Sequence, residues 1–252
     1  MRTGLRYLLR MTDPIYAIGD IHGQLHELQR ALSLIERDGG PEARIVFLGD
    51  YTDRGPDSRG VLDRLVQGQK AGSPWTFIKG NHDRMFEWFM QDYPRHEAYL
   101  PINLYWLHER LGGDTTLASY GVEFTSRNRM LAVHRAAREA VPQDHLDFLA
   151  NLDLSFQTDD LFFCHAGIRP GVPLDKQDEE DLLWIRGEFH DETAPHPKLI
   201  VHGHTPISAA RHYGNRINLD SGAGYGERLS VAVFEGRESW LLTDDGRVPL
   251  TP

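Results

Sequence analysis

The chain has 252 residues, of which 40% are hydrophobic and 25% are charged. These values are typical of a globular protein, so the sequence predicts one domain with a sizeable buried core over residues 1–252. The formal net charge of −10 argues against a nucleic-acid partner, because such partners are bound through general attraction to phosphate. Nothing in the sequence indicates an obligate protein partner.

The N-terminal residues mix arginine with apolar side chains. Arg6 and Arg10 interrupt the apolar run and no small-residue cleavage site follows, so we do not predict a signal peptide. No stretch is long and apolar enough to cross a bilayer. The only cysteine, Cys164, excludes an internal disulfide and follows an apolar run that predicts a buried position. These features predict a cytoplasmic protein without a membrane partner.

The first third of the chain alternates predicted strands and helices. Residues 15–18 predict a buried strand, and apolar residues at helical spacing over 25–35 predict a helix that ends near Gly40. Two further strands, at 44–48 and 75–78, enclose a second helix. This alternation predicts an α/β fold, in which ligands bind where the carboxyl ends of strands meet loops.

Residues from about 84 to 150 are rich in aromatic side chains, and the leucines at 104, 107 and 111 recur at helical spacing. We therefore predict a helical insertion beside the sheet that borders a cleft. Within it, residues 112–121 are hypothesised to set the substrate preference. Later strands are predicted at 160–164, 198–201 and 216–219, followed by a hairpin over 229–243.

Polar side chains follow five of the predicted strands. They are Asp20, His22, Asp50, Asn81, His82, His165 and His204. Carboxylate, imidazole and amide groups without a thiolate favour Mn²⁺, Fe²⁺ or Zn²⁺. A purely structural role would leave buried polar groups without partners, at a cost of about 1–3 kcal/mol each. The pattern therefore predicts a divalent metal site.

These strand ends resemble the motifs of a known family. Gly19-Asp20-Ile21-His22-Gly23, Gly49-Asp50-Tyr51-Thr52-Asp53-Arg54-Gly55 and Gly80-Asn81-His82-Asp83 resemble three signature motifs of the phosphoprotein phosphatases, which are calcineurin-like metallophosphoesterases. Phe163-Cys164-His165-Ala166-Gly167 and Gly203-His204-Thr205-Pro206 resemble two further motifs of the family. Leu183-Trp184-Ile185-Arg186 is similar to an element of its bacterial and phage members. The resemblance, over residues 15 to 225, implies a metallophosphoesterase four-layer sandwich, in which helices flank two mixed β-sheets, with a helical insertion.

The resemblance also implies a role for each motif residue. One metal ion is held by Asp20, His22 and Asp50, and a second by Asp50, Asn81, His165 and His204. Both ions are expected to be Mn²⁺, with Fe²⁺ or Zn²⁺ as alternatives. Arg54, Arg186 and Asn81 bind the substrate phosphate. His82, oriented by Asp53, donates a proton.

Such a site suits in-line attack on phosphorus by a metal-bridging hydroxide. The resemblance thus implies a metal-dependent phosphomonoesterase, a serine/threonine protein phosphatase that acts on phosphorylated proteins or peptides, with phosphotyrosine as a further substrate.

Two alternatives stay open. Asp83 occurs in symmetrical dinucleoside tetraphosphate hydrolases, but His22 replaces their usual glutamine and Asp53, which they commonly lack, is kept. A catalytically silent phosphopeptide-binding module is the other alternative, and the complete set of motif ligands argues against it.

Overall fold

The computed structural model describes residues 14–125 and 127–252. The N-terminal segment with Arg6 and Arg10 lies outside these residues, and the single domain over residues 1–252 therefore stays a prediction. In the described part of the chain, no helix is long and apolar enough to cross a membrane.

Eleven strands and eight α-helices form the described part of the chain. The strands are β1 (Ile15–Ile18), β2 (Arg44–Phe47), β3 (Trp75–Phe77), β4 (Ser155–Gln157), β5 (Leu161–Cys164), β6 (Leu199–His202), β7 (Arg211–His212), β8 (Arg216–Asn218), β9 (Val231–Glu235), β10 (Glu238–Thr243) and β11 (Gly246–Pro249). The helices are α1 (Leu25–Gly39), α2 (Ser58–Lys70), α3 (Asn81–Met90), α4 (Gly113–Ser119), α5 (Met130–Ala140), α6 (Gln143–Ala150), α7 (Glu179–Trp184) and α8 (Gly187–Asp191).

The strands form two mixed sheets. The first has the order β11-β10-β9-β1-β2-β3, with β1, β2 and β3 parallel and the other pairs antiparallel. The second has the order β4-β5-β6-β8-β7, with β5, β6 and β8 parallel. Parallel neighbours bring their carboxyl ends to one edge of each sheet, and the polar residues of the motifs follow those ends.

Alternate residues along each strand point to opposite faces, and the two faces enter different cores. Between the sheets lies one apolar cluster, which includes Ala17, Val46, Phe163, Val201 and Phe234. The outer face of the first sheet packs on α1, α2 and the insertion, and the outer face of the second packs near α7 and α8. This is the expected four-layer α/β arrangement of helices, sheet, sheet and helices.

Helix α1 shows why the sequence pattern succeeds. Its residues Leu28, Ala31, Leu34 and Ile35 recur at helical spacing and are buried on one face. Gly40 follows the helix with a φ of 80°, a backbone conformation that favours glycine, and its N–H donates to the carbonyl of Glu36. The helix therefore ends beside Gly40, as the sequence predicts.

The insertion is only partly helical. Helices α3 to α6 confirm its predicted character, but residues 101–112 form successive turns rather than the helix indicated by the leucine spacing. Leu104, Leu107 and Leu111 are nevertheless buried. The N–H of Leu104 bonds to the carbonyl of Pro101 and that of Leu111 to the carbonyl of His108, so each leucine closes a four-residue turn. A spacing near three residues suits such turns as well as it suits a helix.

Candidate metal centre

The candidate site lies where the strands of both sheets end. Asp20 and His22 follow β1, Asp50 follows β2, Asn81 and His82 follow β3, His165 follows β5, and His204 follows β6. All seven side chains are buried. The structure therefore brings together every residue that the sequence analysis proposed as a metal ligand.

The backbone is strained at this site. Five non-glycine residues with positive φ lie in these loops: His22 (48°), Asp50 (53°), Asp53 (73°), Arg54 (66°) and His204 (68°). Elsewhere in the described residues only Asn103 shares this feature. Such conformations cost about 1–3 kcal/mol each and persist where surrounding contacts fix them, which is common at functional sites.

Asp50 lies at the middle of the cluster. Its Oδ2 is 3.4 Å from His22 Nε2, and its Oδ1 is 3.5 Å from His165 Nε2. The cluster contains two sets of potential ligands, and within each set the ligand atoms lie within 4.8 Å of one another. One set is His22, Asp50 and His82, and the other is Asp20, Asp50 and His165. Asp50 belongs to both sets, as a bridging carboxylate must.

The two imidazoles beside Asp50 are oriented by backbone carbonyls. His22 Nδ1 is 2.8 Å from the carbonyl oxygen of Thr52, and His165 Nδ1 is 2.9 Å from that of Leu48. Because a carbonyl only accepts, each ring donates from Nδ1 and has its lone pair on Nε2, facing Asp50. Burial lowers the pKa of His165 to about 4, so this ring is neutral, the form that binds metal.

Asp20 and His204 approach each other within the same cluster. Asp20 Oδ2 accepts a hydrogen bond of 3.0 Å from the backbone N–H of His204. Gly203 makes this possible, because a Cβ there would lie 1.9 Å from Asp20 Oδ1. Asn81 Oδ1 lies 2.9 Å from both His204 Nδ1 and His165 Nε2. The amide oxygen accepts from His204 Nδ1, whereas the unprotonated Nε2 of His165 faces the same oxygen without a donor between them, an approach that suits two ligands of one cation.

The charges and unpartnered atoms of the cluster fit divalent cations. Asp20 Oδ1 and His204 Nε2 are buried without a hydrogen-bond partner among the described residues. Burial raises the pKa of Asp50 to about 7 and also raises the pKa of Asp20, where Asp220 and Asp50 add to the effect. Crowded, desolvated carboxylates of this kind are stable as anions only when positive charge neutralises them.

A buried pair of side chains adjoins the cluster. Asp53 Oδ2 lies 2.6 Å from His82 Nδ1 and also accepts from Trp106 Nε1 at 2.8 Å, and Thr116 Oγ1 donates to Asp53 Oδ1 at 2.7 Å. Trp106 and Thr116 both belong to the insertion. Burial, with the nearby Arg54 charge, lowers the pKa of His82, so its single ring proton is on Nδ1 and its Nε2 faces the cluster.

The two arginines differ in position. The Arg54 guanidinium contacts His22 Nε2 and lies 3.0 Å from His82 Nε2. Arg186 is exposed at the start of α8, and its charge adds to the effect of burial in lowering the pKa of His165 and of His204. Positive charge therefore borders the cluster at both ends. His202, two residues before His204, lies 3.4 Å from the Arg216 guanidinium.

Sequence reasoning missed the structural role of Asp83. Its Oδ2 accepts from the backbone N–H groups of Asp50 (2.8 Å) and Gly80 (2.9 Å), and its Oδ1 accepts from that of Tyr51 (2.9 Å). From the sequence alone, Asp83 indicates only a class of substrate. Its place three residues after Gly80, at the start of α3, is the available signal, since acidic residues cap helices there.

Asp220 was also missed. It follows β8 and is 4% exposed, and its charge raises the pKa of Asp20. Its Oδ1 accepts from the N–H of Gly222 at 3.0 Å. The segment Leu219-Asp220-Ser221-Gly222 repeats the pattern of a strand followed by an acidic residue near glycine, which could have identified it.

The motifs and the centre agree with a comparison against known families. Residues 13–233 match the calcineurin-like phosphoesterases. The chain belongs to this family. Membership accounts for the four layers and establishes a metallophosphoesterase, and the strand-end cluster supplies its candidate metal-binding residues.

Curated relatives align with most of this phosphoesterase. Proteins named asymmetrical bis(5'-nucleosyl)-tetraphosphatase PrpE are 27% identical in Anoxybacillus flavithermus and 28% identical in Oceanobacillus iheyensis. A protein of the same name in Bacillus cereus (strain AH820) is 29% identical. Each alignment covers 88% of this chain, and 91%, 88% and 91% of the three relatives, respectively.

Solved structures confirm the fold. A structure described as a candidate diadenosine tetraphosphatase is 24% identical, with a TM-score of 0.58 and 96% of each chain covered. A point mutant of a cold-active protein tyrosine phosphatase is 20% identical, with a TM-score of 0.62 and 95% of this chain and 81% of that chain covered. Because the two named activities differ while the fold is shared, this likeness shows the fold alone.

The expected protein phosphatase activity, with phosphorylated proteins or peptides as partners, is wrong. The aligned relatives are named instead for dinucleoside tetraphosphates, small nucleotide substrates. They favour the first alternative, although their name specifies asymmetrical rather than symmetrical cleavage. The error has a physical reason. Metal ligands and arginines contact the phosphate in both reactions, so the motifs do not report the group attached to it.

Proposed function

We propose that this phosphoesterase hydrolyses dinucleoside tetraphosphates asymmetrically, releasing one nucleoside triphosphate and one nucleoside monophosphate. The observation that supports it most is the buried cluster around Asp50, bordered by Arg54, in a chain whose aligned relatives bear this activity in their name. A tetraphosphate chain is strongly anionic, and the cluster with its arginines offers an anion site within an acidic protein.

We propose that two divalent ions, Mn²⁺ with Fe²⁺ or Zn²⁺ as alternatives, are held by the cluster. Their ligands are Asp20, His22, Asp50, Asn81, His165 and His204, with Asp50 shared. When bound, such ions lower the pKa of water and neutralise charge on the phosphate oxygens. The residues themselves contribute neutral imidazoles and a desolvated environment, in which each electrostatic contact is stronger than in water.

Arg54 and Arg186, with Asn81, orient the phosphate chain in this proposal. Guanidinium groups bind phosphate through two parallel hydrogen bonds, which fixes orientation as well as charge. Arg54 lies directly beside His22 and His82, so it is suited to the phosphate that reacts. Arg186 is exposed beyond the cluster and is suited to the remaining phosphates.

His82 is proposed to move a proton to the leaving phosphate. Asp53 holds the proton on Nδ1, so Nε2 faces Arg54 and the reacting group. Burial is the main cause that lowers the pKa of His82, and the Arg54 charge adds to it; an anionic substrate that pairs with Arg54 offsets this second cause and so favours a proton at Nε2. A leaving phosphate is less basic than a serine alkoxide, so proton donation matters less here than in a protein phosphatase.

The test is product analysis by ion-exchange chromatography. Metal-stripped protein, with Mn²⁺ restored, is given diadenosine tetraphosphate, and separately phosphoserine, phosphothreonine and phosphotyrosine peptides. We expect ATP and AMP in equal amounts, formed faster than phosphate is released from any peptide. Two molecules of ADP per substrate would contradict the asymmetrical cleavage, and preferential phosphate release from peptides would contradict the substrate class.

A further inference from the structure

One exposed aromatic residue stands directly over the candidate phosphate site. Tyr225 is 64% exposed, and its ring centroid lies 5.0 Å from the Arg54 guanidinium carbon. Arg54 in turn contacts His22 and His82. An aromatic surface and a phosphate-binding group thus adjoin each other at the edge of the centre.

The turn that presents Tyr225 is fixed by its own hydrogen bonds. Tyr225 ends a short 3₁₀ turn, Ala223–Tyr225, and its N–H bonds to the carbonyl of Gly222 at 2.8 Å. Below the turn, Ser221 Oγ donates to the carbonyl of Arg228 at 2.7 Å and accepts from Ser230 Oγ at 2.7 Å. The ring therefore projects from an ordered backbone.

The same turn packs against a candidate metal ligand. A Cβ at Gly224 would lie 2.7 Å from Cδ2 of the His22 ring, so only glycine permits this approach. The position of Tyr225 is consequently tied to the centre through His22 as well as through Arg54. A surface residue that serves only solubility does not need a fixed position. The exposed ring of Tyr225 also leaves apolar surface in contact with water.

We propose that Tyr225 is a stacking surface for the nucleobase next to the reacting phosphate; the proposal rests on the nucleotide substrate argued above. A purine or pyrimidine has a π face, and stacking on tyrosine covers the exposed ring whatever the base. A base stacked on Tyr225 is separated from the centre only by the side chain of Arg54, which contacts both Tyr225 and His22. The phosphate that reaches the cluster is then the one bonded to that nucleoside, and cleavage beside it is asymmetrical.

The experiment compares Tyr225→Ala, Tyr225→Phe and a control, Tyr93→Ala, which removes another exposed tyrosine (87% exposed). For each protein, KM and kcat are measured with diadenosine tetraphosphate. Inhibition constants of ATP and of inorganic tripolyphosphate are measured against p-nitrophenyl phosphate hydrolysis. Tripolyphosphate has the phosphate chain without a base, so it separates stacking from phosphate binding.

We expect Tyr225→Ala to raise the KM for diadenosine tetraphosphate about tenfold, as loss of one stacked base does. The inhibition constant of ATP should rise by about the same factor. Tyr225→Phe and Tyr93→Ala should stay within about twofold of the wild type, and tripolyphosphate should inhibit all four proteins equally, since the ring alone makes the contact. A parallel loss of tripolyphosphate inhibition would show that Tyr225 only positions Arg54 and would overturn the proposal.

Unchanged KM and ATP inhibition in Tyr225→Ala would overturn it as well. Failure of the proposed function gives a different result: the wild-type protein itself would leave diadenosine tetraphosphate intact. This outcome is visible before any variant is compared.

Discussion

The carboxylate of Asp53 lies 2.6 Å from His82 Nδ1, and this pair connects the metal centre to the insertion. Trp106 and Thr116, which also donate to Asp53, both lie between β3 and β4. Gly112, in the same segment, accepts from the N–H of Arg54 at 3.3 Å. The insertion therefore orients the side chain that we propose moves a proton, and it also fixes the backbone of a phosphate-binding residue. These contacts support the hypothesis that residues 112–121 influence the substrate.

Trp106→Phe should slow turnover without removing metal. Phenylalanine keeps the stacking on Phe86, with centroids 5.1 Å apart in the wild type, but donates nothing to Asp53. Because His82 is then less well oriented, we expect kcat to fall about three- to tenfold, which corresponds to the net contribution of one ordinary hydrogen bond acting on His82 through Asp53. Steady-state kinetics and metal analysis check this, with Trp240→Phe as a control remote from the centre. Loss of metal in Trp106→Phe would contradict the interpretation.

Asp50→Asn should remove both metal ions and nearly all activity. Asp50 is the carboxylate shared by the two ligand sets, and asparagine has one oxygen and no charge to hold two cations. Inductively coupled plasma mass spectrometry of the purified protein gives the metal content. Asp245→Asn, an exposed acidic residue in the turn before β11, should keep both ions. Retention of two ions at a near-normal rate in Asp50→Asn would refute the shared-ligand model.

The cluster of candidate ligands at the strand ends could be predicted because each residue obeys a local rule. Asp20, Asp50 and His165 come within three residues of the end of a buried strand, and a sheet with parallel neighbours brings such ends together. Helix α1 was predictable for a similar reason, since its apolar spacing and its terminal glycine are both local. Such features depend on a few consecutive residues, so the chain order already contains them.

Other features depend on contacts between distant residues. Asp83 fixes the loop after β2 through the backbone N–H groups of Asp50 and Tyr51, and nothing near Asp83 in the chain specifies those two partners. Trp106 lies in turns for which the leucine spacing wrongly predicts a helix. Its hydrogen bond to Asp53 joins residues that are distant in the chain and meet only in the folded protein. The substrate class was mistaken because the motif residues contact phosphate, whereas the side chain that we propose for the base, Tyr225, lies outside every motif.

Asp83→Asn should destabilise the fold and loosen the centre. The carboxylate accepts from three N–H groups, while asparagine presents an NH₂ group to at least one of them. A buried N–H without an acceptor costs about 1–3 kcal/mol, so we expect the free energy of unfolding to fall by that amount. Urea denaturation followed by circular dichroism measures it. The exposed Asp159→Asn should leave the midpoint unchanged, and an equal midpoint for Asp83→Asn would show that the loop does not depend on this carboxylate.

Asp38→Asn should lower stability in a way that depends on pH. Asp38 Oδ2 accepts from Tyr16 Oη at 2.6 Å and from the Arg247 guanidinium at 2.7 Å, joining α1 to β1 and β11. The hydrogen bonds from Arg247 hold the pKa of Asp38 below its usual value, and the bond from Tyr16 adds to this. A carboxyl whose pKa is lower in the folded state stabilises the fold above its unfolded pKa of about 4, and this stability is lost as the pH falls through the folded pKa.

We therefore expect Asp38→Asn to lose about 1 kcal/mol or less at pH 7, because this side chain is partly exposed to solvent. The difference from the wild type should shrink steadily as the pH falls below about 4, where the wild-type carboxyl also becomes neutral. Urea midpoints at several pH values for the wild type, Asp38→Asn and Asp159→Asn test this. A difference that stays constant with pH would mean that Asp38 stabilises the contact between α1 and β11 through hydrogen bonds that do not require its charge.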